Sequence, residues 1–360
     1  MTASFGPYQI FPIGLGLMSL TRTAEASQMT PDPEAFAVIK AALDKSRDNE
    51  RVVLNSCTVY GPQSDPYANL TLIRRFFQRY PEMKDAAVIV VKGAVMVDEY
   101  RAKGKAGFRF STKLEDLRRD LVEVRRELGC DEDGIKLHSY GPGRRDLTTS
   151  IEETVQNLVT LQKEGLFEHI HLSELGSDTI VRAAETAKQL GSCVESIELE
   201  FSPLRSDIER NGVLDACKSH GITVIAYSPV GKGLLTGQLQ DIGDIPSTDP
   251  RRKLDTFSEQ NLDKNIQLAR TFGKVAAEHD PPCTPAQLAL AWLTLQGDEH
   301  ISVVPIPGTT KAHRVEENMA AGDVVLTVAE RRLLQEQLAS MSFHGGRYSA
   351  DVRARGNLDG

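Results

Sequence analysis

Several features are missing from this 360-residue chain, and each absence excludes a class of protein. Cysteine is sparse. Cys57, Cys130, Cys193, Cys217 and Cys283 are odd in number and scattered, with neither the spacing of a zinc clip nor that of a redox pair. They are expected as reduced thiols in a reducing compartment, which predicts a cytoplasmic protein. No apolar run approaches the roughly 18 residues that would span a bilayer. No basic N-terminal segment leads into an apolar core, so no secretory leader is expected. An excess of positive charge is missing too: 42 Lys and Arg stand against 50 Asp and Glu, for a net charge of −8. Nothing in that balance attracts nucleic acid or an anionic membrane, so any anion must be held by a local site. His, Asp and Glu never cluster at metal-ligand spacing, and no metal is expected. Internal repeats and low-complexity linkers are also lacking.

What remains is ordinary globular composition, 40% hydrophobic and 26% charged, enough to bury a large core. Short β-branched runs alternate with amphipathic stretches. The expected strands are Ile13–Met18, Val52–Asn55, Val88–Lys92, Gly134–His138, His169–Ser173, Ser196–Phe201, Thr223–Tyr227 and Ser302–Pro305. Between them, apolar residues recur three and four apart, as in Leu114, Leu117, Leu121, Val124 and Leu128. A second such stretch, Ile151, Val155, Leu158 and Leu161, is entered through Thr148, Thr149 and Ser150 as caps. Strict alternation argues for a parallel sheet. Eight units over this length favour a closed (β/α)8 TIM barrel over an open doubly wound sheet. The chain 1–360 is thus expected to be a single domain with a core at about 10–341. The polar stretch between Leu234 and Asn261, after the seventh strand, is too long for a routine connection and reads as a lid or a cofactor strap. The tail from Ser342 to Gly360 lacks periodicity and is expected to be irregular, frayed or drawn across the barrel mouth.

Two segments look built to hold a phosphorylated nucleotide without the usual glycine fingerprint. Tyr227-Ser228-Pro229-Val230-Gly231-Lys232-Gly233 closes one apolar run, and Pro305-Ile306-Pro307-Gly308-Thr309-Thr310 leaves another and opens into a helix carrying Arg314, Glu317 and Asn318. A helix N-terminus offers unpaired N–H groups and positive potential, and Arg314 adds a forked, permanent charge one turn inside.

In a parallel barrel, chemistry sits at the C-terminal ends of the strands. Val52-Val53-Leu54 ends in Asn55 with Tyr60 in the loop beyond. Val88 to Val91 ends in Lys92, and Ile135-Lys136-Leu137 ends in His138. The set Asn55, Tyr60, Lys92 and His138 resembles the tetrad of the aldo-keto reductases, usually Asp, Tyr, Lys and His, the first two again five residues apart. The Gly14-Leu15-Gly16 opening, the Tyr227-Ser228-Pro229 turn and the PIPGTT…RVEEN segment extend the resemblance from Ile10 to about Met341.

The resemblance implies an NADPH-dependent reductase of small carbonyl compounds. Tyr60 would be the proton donor, with Lys92 pulling its pKa from near 10 towards neutrality. His138 would hydrogen-bond the substrate oxygen. Tyr227 would stack on the nicotinamide, with Ser173 and Glu198 holding its carboxamide. Ser228, Gly231 and Lys232 would approach the pyrophosphate. Thr309 and Arg314 would face the 2′-phosphate, and Glu317 and Asn318 the adenine, with Glu174, Pro229, Gly233, Gly308 and Thr310 in the same cofactor-binding set. Three departures, Asn55 for Asp, Glu198 for the usual Gln and Glu174 for the usual Asn, resemble the pyridoxal reductase branch, which implies pyridoxal as substrate. Broader aldehyde reduction and a nicotinamide-sensing module with weak turnover are the alternatives. Asn55 supplies no negative charge, so Lys92 is expected to be less basic than in the family.

Each residue also has a plain structural reading. Tyr60-Gly61-Pro62 is a possible turn, Lys92 an end-of-strand ion pair, His138 an interior histidine, Gly231 and Gly233 turn glycines, and Glu317 and Asn318 a solvated helix face. For His171 the structural reading is the preferred one.

Overall fold

A computed structural model describes residues 3–47, 49–247, 249–340 and 343–346. Its ten strands are β1 (Ala3–Phe5), β2 (Tyr8–Ile10), β3 (Leu15–Gly16), β4 (Glu50–Cys57), β5 (Ala87–Gly93), β6 (Ser139–Pro142), β7 (His169–Ser173), β8 (Val194–Glu200), β9 (Thr223–Tyr227) and β10 (Val303–Pro305). From β3 to β10 every neighbouring pair is parallel. The Gly14 and Gly16 N–H groups donate to the carbonyls of Pro305 and Pro307, and Gly16 bridges to Gly308, bringing the first barrel strand against the last. The fold is the (β/α)8 barrel. The antiparallel hairpin β1–β2 lies outside the eight and stops the lower end.

Helices follow the strands where the apolar periodicity placed them. In Leu114–Leu128, Leu117, Leu121, Val124 and Leu128 are fully buried, and the helix ends at Gly129 in the left-handed conformation. Helix Ile151–Lys163 is capped by Ser150, whose Oγ accepts from the Glu153 N–H at 3.1 Å.

The barrel lumen has an apolar lower tier. Phe5 and Ile10 of the hairpin pack against Val53, Val88, Val90, Ile225, Val304 and Ile306. Side chains two apart share a face. The next lumen positions up are therefore Asn55 above Val53, Lys92 above Val90 and Tyr227 above Ile225, so the polar tier falls at the C-terminal rim.

The fourth barrel strand lies later than its pattern predicts. Ile135 and Leu137 are buried, but regular pairing begins at Ser139, where Ser139 meets Val90 and Gly141 meets Lys92. Period two marked an extended segment without locating the strand within it, and His138 enters the barrel from below instead of leaving it at the top.

The polar stretch after β9 folds into short 3₁₀ turns, Gly231–Thr236, Ile242–Asp244, Pro250–Lys253 and Asp255–Phe257, before helix Glu259–Glu278. Arg251 organises it, pairing with Asp249 at 2.8 Å and donating to the Lys232 carbonyl at 3.0 Å. Of the tail, residues 343–346 dock on this region. Asn265 exchanges two hydrogen bonds of 2.9 Å with His344, and the Gly346 N–H donates to Asp255. The rest of the tail, from 347 on, lies outside the described residues.

Candidate active site

A cavity of about 1270 Å³ opens at the C-terminal rim of the barrel. Asn55, Tyr60, Lys92 and Glu198 line it together. Lys92 is 3% exposed, and its Nζ donates to Glu198 Oε2 at 2.5 Å and to Asn55 Oδ1 at 2.9 Å. The Asn55 amide closes the triangle by donating to the same Glu198 oxygen at 2.6 Å. Two departures from the family pattern are thus one arrangement. The anion missing at position 55 is supplied across the barrel at position 198, and the amide joins it to the ammonium.

This corrects two expectations. Burial works to lower the Lys92 pKa, but the Glu198 carboxylate together with the neighbouring Tyr60 and Cys57 outweighs it, and the lysine is held above its ordinary range. Lys92 is therefore more basic, not less. Its Nζ lies 5.2 Å from the centre of the Tyr60 ring. Burial pushes the Tyr60 phenol up, Lys92 pulls it down, and Glu198 adds to the rise, leaving it above its ordinary value. The phenol therefore stays protonated at neutral pH, the form a proton donor needs.

Local structure fixes the tyrosine loop. Asn69, fully buried, accepts from Ser56 Oγ at 2.6 Å and donates to Thr21 Oγ1 at 2.6 Å. Thr21 in turn donates to the Tyr60 carbonyl, and Arg22 donates to the Val59 carbonyl at 2.8 Å. Beyond Lys92, Asp120 holds the next turn, accepting from the Ala94 N–H at 2.7 Å and the Tyr140 hydroxyl at 2.5 Å. None of these braces stands out in the sequence, because each partner lies 13 or more residues away.

His138 does not belong to this cluster. It lines a separate small cavity at the lower end with Arg51, Lys84 and Asp85. Its Nδ1 accepts from the Ile89 N–H at 3.1 Å, its ring meets Tyr8 edge-on, and Arg51 lies 3.3 Å from Nε2. Ile89 is three residues, about 10 Å of strand, below Lys92. Abreast of Lys92 on β6 stands Gly141, where a Cβ would come within 1.6 Å of the His171 carbonyl oxygen, so no side chain fits there. His171 itself is fully buried with Nδ1 on Ser196 Oγ at 2.8 Å, a structural position.

Along the rest of the cavity the walls carry Tyr227, Ser228, Pro229, Lys232 and Gly233 from one turn. Gly308, Thr309, Thr310, Arg314, Glu317 and Asn318 come from the segment after β10. The first turn is left-handed at Ser228, Gly231, Lys232 and Gly233, which turns it sharply at the rim. Helix Ala312–Ala320 starts at Lys311 without a side-chain cap, so its first N–H groups have no side chain competing with an anion. An uncapped helix end and Arg314 form a donor set that fits phosphates, while the Lys232 ammonium is ion-paired with the Glu200 carboxylate. The strap contributes Thr236, Gln238, Asp249 and Arg251 to the same walls, and Gln238 accepts from Arg314 at 3.2 Å. Three residues of the expected cofactor set do not reach the wall. Ser173 is buried behind it, Glu174 turns its carboxylate to the Glu200 N–H at 3.1 Å, and Gly231 faces Leu204.

The family model described as the aldo/keto reductase family matches residues 12–338. The chain belongs to the aldo/keto reductase family. It is 30% identical over 348 residues, covering 93% of this chain and 95% of the other, to a Saccharomyces cerevisiae protein named "Putative pyridoxal reductase". It is 34% identical over 232 residues to the Schizosaccharomyces pombe aldo-keto reductase yakc, named for NADP(+), covering 64% and 65% of the two chains. The solved glycerol dehydrogenase of Gluconobacter oxydans superposes with a TM-score of 0.78 over 94% of this chain and 95% of its own, at 19% identity, which establishes a shared fold.

As an aldo/keto reductase the protein is a nicotinamide-dependent oxidoreductase, and its similarity places it beside the pyridoxal reductases. The cavity is also walled by Phe108, Arg109 and Phe110 from the loop after β5, and by Gly143 and Arg144 from the loop after β6.

Proposed function

We propose that the protein reduces a small aromatic aldehyde with NADPH, with pyridoxal, reduced to pyridoxine, as the leading substrate. The observation that carries this reading is the meeting of Tyr60, Lys92, Asn55 and Glu198 in a cavity that runs on to Arg314 and the uncapped helix at 312. Arg314 with Thr309 supports preference for the 2′-phosphorylated cofactor. Phe108, Phe110 and Tyr227 give the cavity an aromatic lining suited to a flat ring. The relatives named as pyridoxal reductases support the choice of aldehyde.

When bound, the dinucleotide supplies the hydride to the carbonyl carbon. The chain supplies the proton. The Tyr60 hydroxyl hydrogen-bonds the carbonyl oxygen and delivers its proton as negative charge develops there. Lys92 stabilises the phenolate left behind, and Glu198 and Asn55 keep the lysine charged and oriented. The carboxylate at 198 supplies the charge missing at position 55, which supports catalysis over mere cofactor sensing.

The purified protein with NADPH and pyridoxal should consume the reduced-nicotinamide absorbance with a kcat/KM above that for benzaldehyde. Cofactor binding without turnover on pyridoxal and a panel of other aldehydes would overturn the reading.

A further inference from the structure

The cavity at the lower end of the barrel takes no part in the chemistry at the rim, yet it measures about 160 Å³. That is roughly ten times the ~10–15 Å³ that admits one water. Its polar side chains are Arg51 from the start of β4, Lys84 and Asp85 from the turn before β5, and Lys136 and His138 from the segment before β6. Three cations thus line it against one carboxylate. The Asp85 side chain is 91% exposed and stands 4.0 Å from Arg51 Nη2. The guanidinium lies 4.2 Å over the Tyr8 ring, which fixes its plane. The other carboxylates nearby are engaged: Glu168 accepts from the Tyr8 hydroxyl at 2.7 Å, and Asp133 pairs with Arg74 at 2.5 Å. Lys84 uses one of its three donors on the Asp133 carbonyl.

His138 shows what the lining lacks. Its Nδ1 accepts from the Ile89 N–H at 3.1 Å. Burial, with Arg51, Lys136 and His169 acting the same way, holds the ring neutral. A neutral imidazole carries one N–H, so with Nδ1 as the acceptor the proton sits on Nε2. Arg51 Nη1, which can only donate, lies 3.3 Å from that nitrogen. Two donors therefore converge, and neither satisfies the other. The Lys136 carbonyl draws on the ring's proton, but among the described residues no acceptor hydrogen-bonds Nη1.

We propose that Arg51 and His138, with the charges of Lys84 and Lys136, form a binding site for a phosphate-class oxyanion at the lower end of the barrel. Such an ion presents acceptors in several directions at once, suits a forked guanidinium, and carries the charge that the lining lacks. A water would satisfy the donors and leave the excess charge in place. The bound ion would tie the lower ends of β4 and β6 together, and the site stands independently of the reductase reading.

The test titrates inorganic phosphate into the full chain with NADP in excess to fill the rim, at pH 7 and constant ionic strength. Histidine ¹⁵N NMR reads the ring of His138, identified by its loss in His138→Gln. Without phosphate the ring should be the Nε2-protonated tautomer. Phosphate should shift its signals to a saturable end point, and sulfate should compete. Arg51→Gln should weaken phosphate by about tenfold or more, the size of one charge-assisted hydrogen bond. Lys136 is exposed, so Lys136→Gln spares the fold; it should weaken phosphate by about two- to fivefold, the worth of an exposed charge. An Nδ1-protonated ring would overturn the proposal, because Arg51 would then simply donate to Nε2. So would the absence of a saturable shift, which would leave water as the occupant. A shift undiminished in both Arg51→Gln and Lys136→Gln would place the phosphate elsewhere, and acetate binding as tightly as phosphate would overturn the choice of ion.

Discussion

Replacing Glu198 by Gln removes the carboxylate that hydrogen-bonds Lys92 and leaves a lysine that is 3% exposed without that anion. Breaking one partner out of a buried ion pair costs about 3–5 kcal/mol, because the remaining charge loses its compensation. Asn55→Asp does different damage. It deletes the amide that donates to Glu198 at 2.6 Å and sets two carboxylates in contact, one of which must take up a proton or repel the other. The double variant Asn55→Asp, Glu198→Gln restores one carboxylate and one amide around the ammonium, with their places exchanged, and residue 55 already reaches Lys92 Nζ at 2.9 Å. The expected outcome of urea unfolding is two strongly destabilised single variants and a double variant near the wild type, with a coupling energy of about 3 kcal/mol or more. The pH profile of reduction should follow the same order, since Lys92 tunes Tyr60. Mild single effects that simply add in the double variant would refute the claim that positions 55 and 198 share one charge.

Other consequences are simpler. His138 is held neutral by burial, and also by Arg51, with its pKa pulled down to about 3. The unfolded chain, with a histidine pKa of about 6.5, binds that proton first as pH falls. Stability should therefore decline between these values, by up to about 3 kcal/mol at pH 4. His138→Gln should flatten this part of the pH dependence of the urea midpoint, and an unchanged slope would contradict the buried, neutral assignment. Because His138 lies at the lower end, the same variant should keep NADPH-dependent turnover within about threefold at neutral pH, as expected for a change outside the site. Arg314→Ala should weaken NADPH by about tenfold or more, the worth of a charge-assisted contact, and NADH by much less. Equal losses would mean that Arg314 does not meet the 2′-phosphate.

The barrel was legible because its signal is local. Eight β-branched runs, each followed by a 3.6-residue stripe, demand strand and helix in alternation, and seven of the eight strands fall on or overlap their expected ranges. Asn55 and Lys92 were legible for the same reason, a polar residue closing an apolar strand being costly unless something holds it, and Tyr60 through its five-residue spacing from Asn55. His138 had the same local appearance and the opposite location. Alternation marks Ile135 to His138 as extended, but only the pairing of Gly141 with Lys92 tells which end of the segment is the rim. The Glu198 contact was hidden for a different reason. Asn55 and Glu198 each read as a departure, and their compensation depends on strands 143 residues apart meeting across the lumen.

The account turns on the Tyr60 phenol as the source of the proton. In single-turnover reduction of an aromatic aldehyde by the NADPH-loaded enzyme, Tyr60→Phe should slow the chemical step by about 10²–10⁴ while cofactor fluorescence quenching is unchanged. Reduction at close to the wild-type rate in that variant would contradict it.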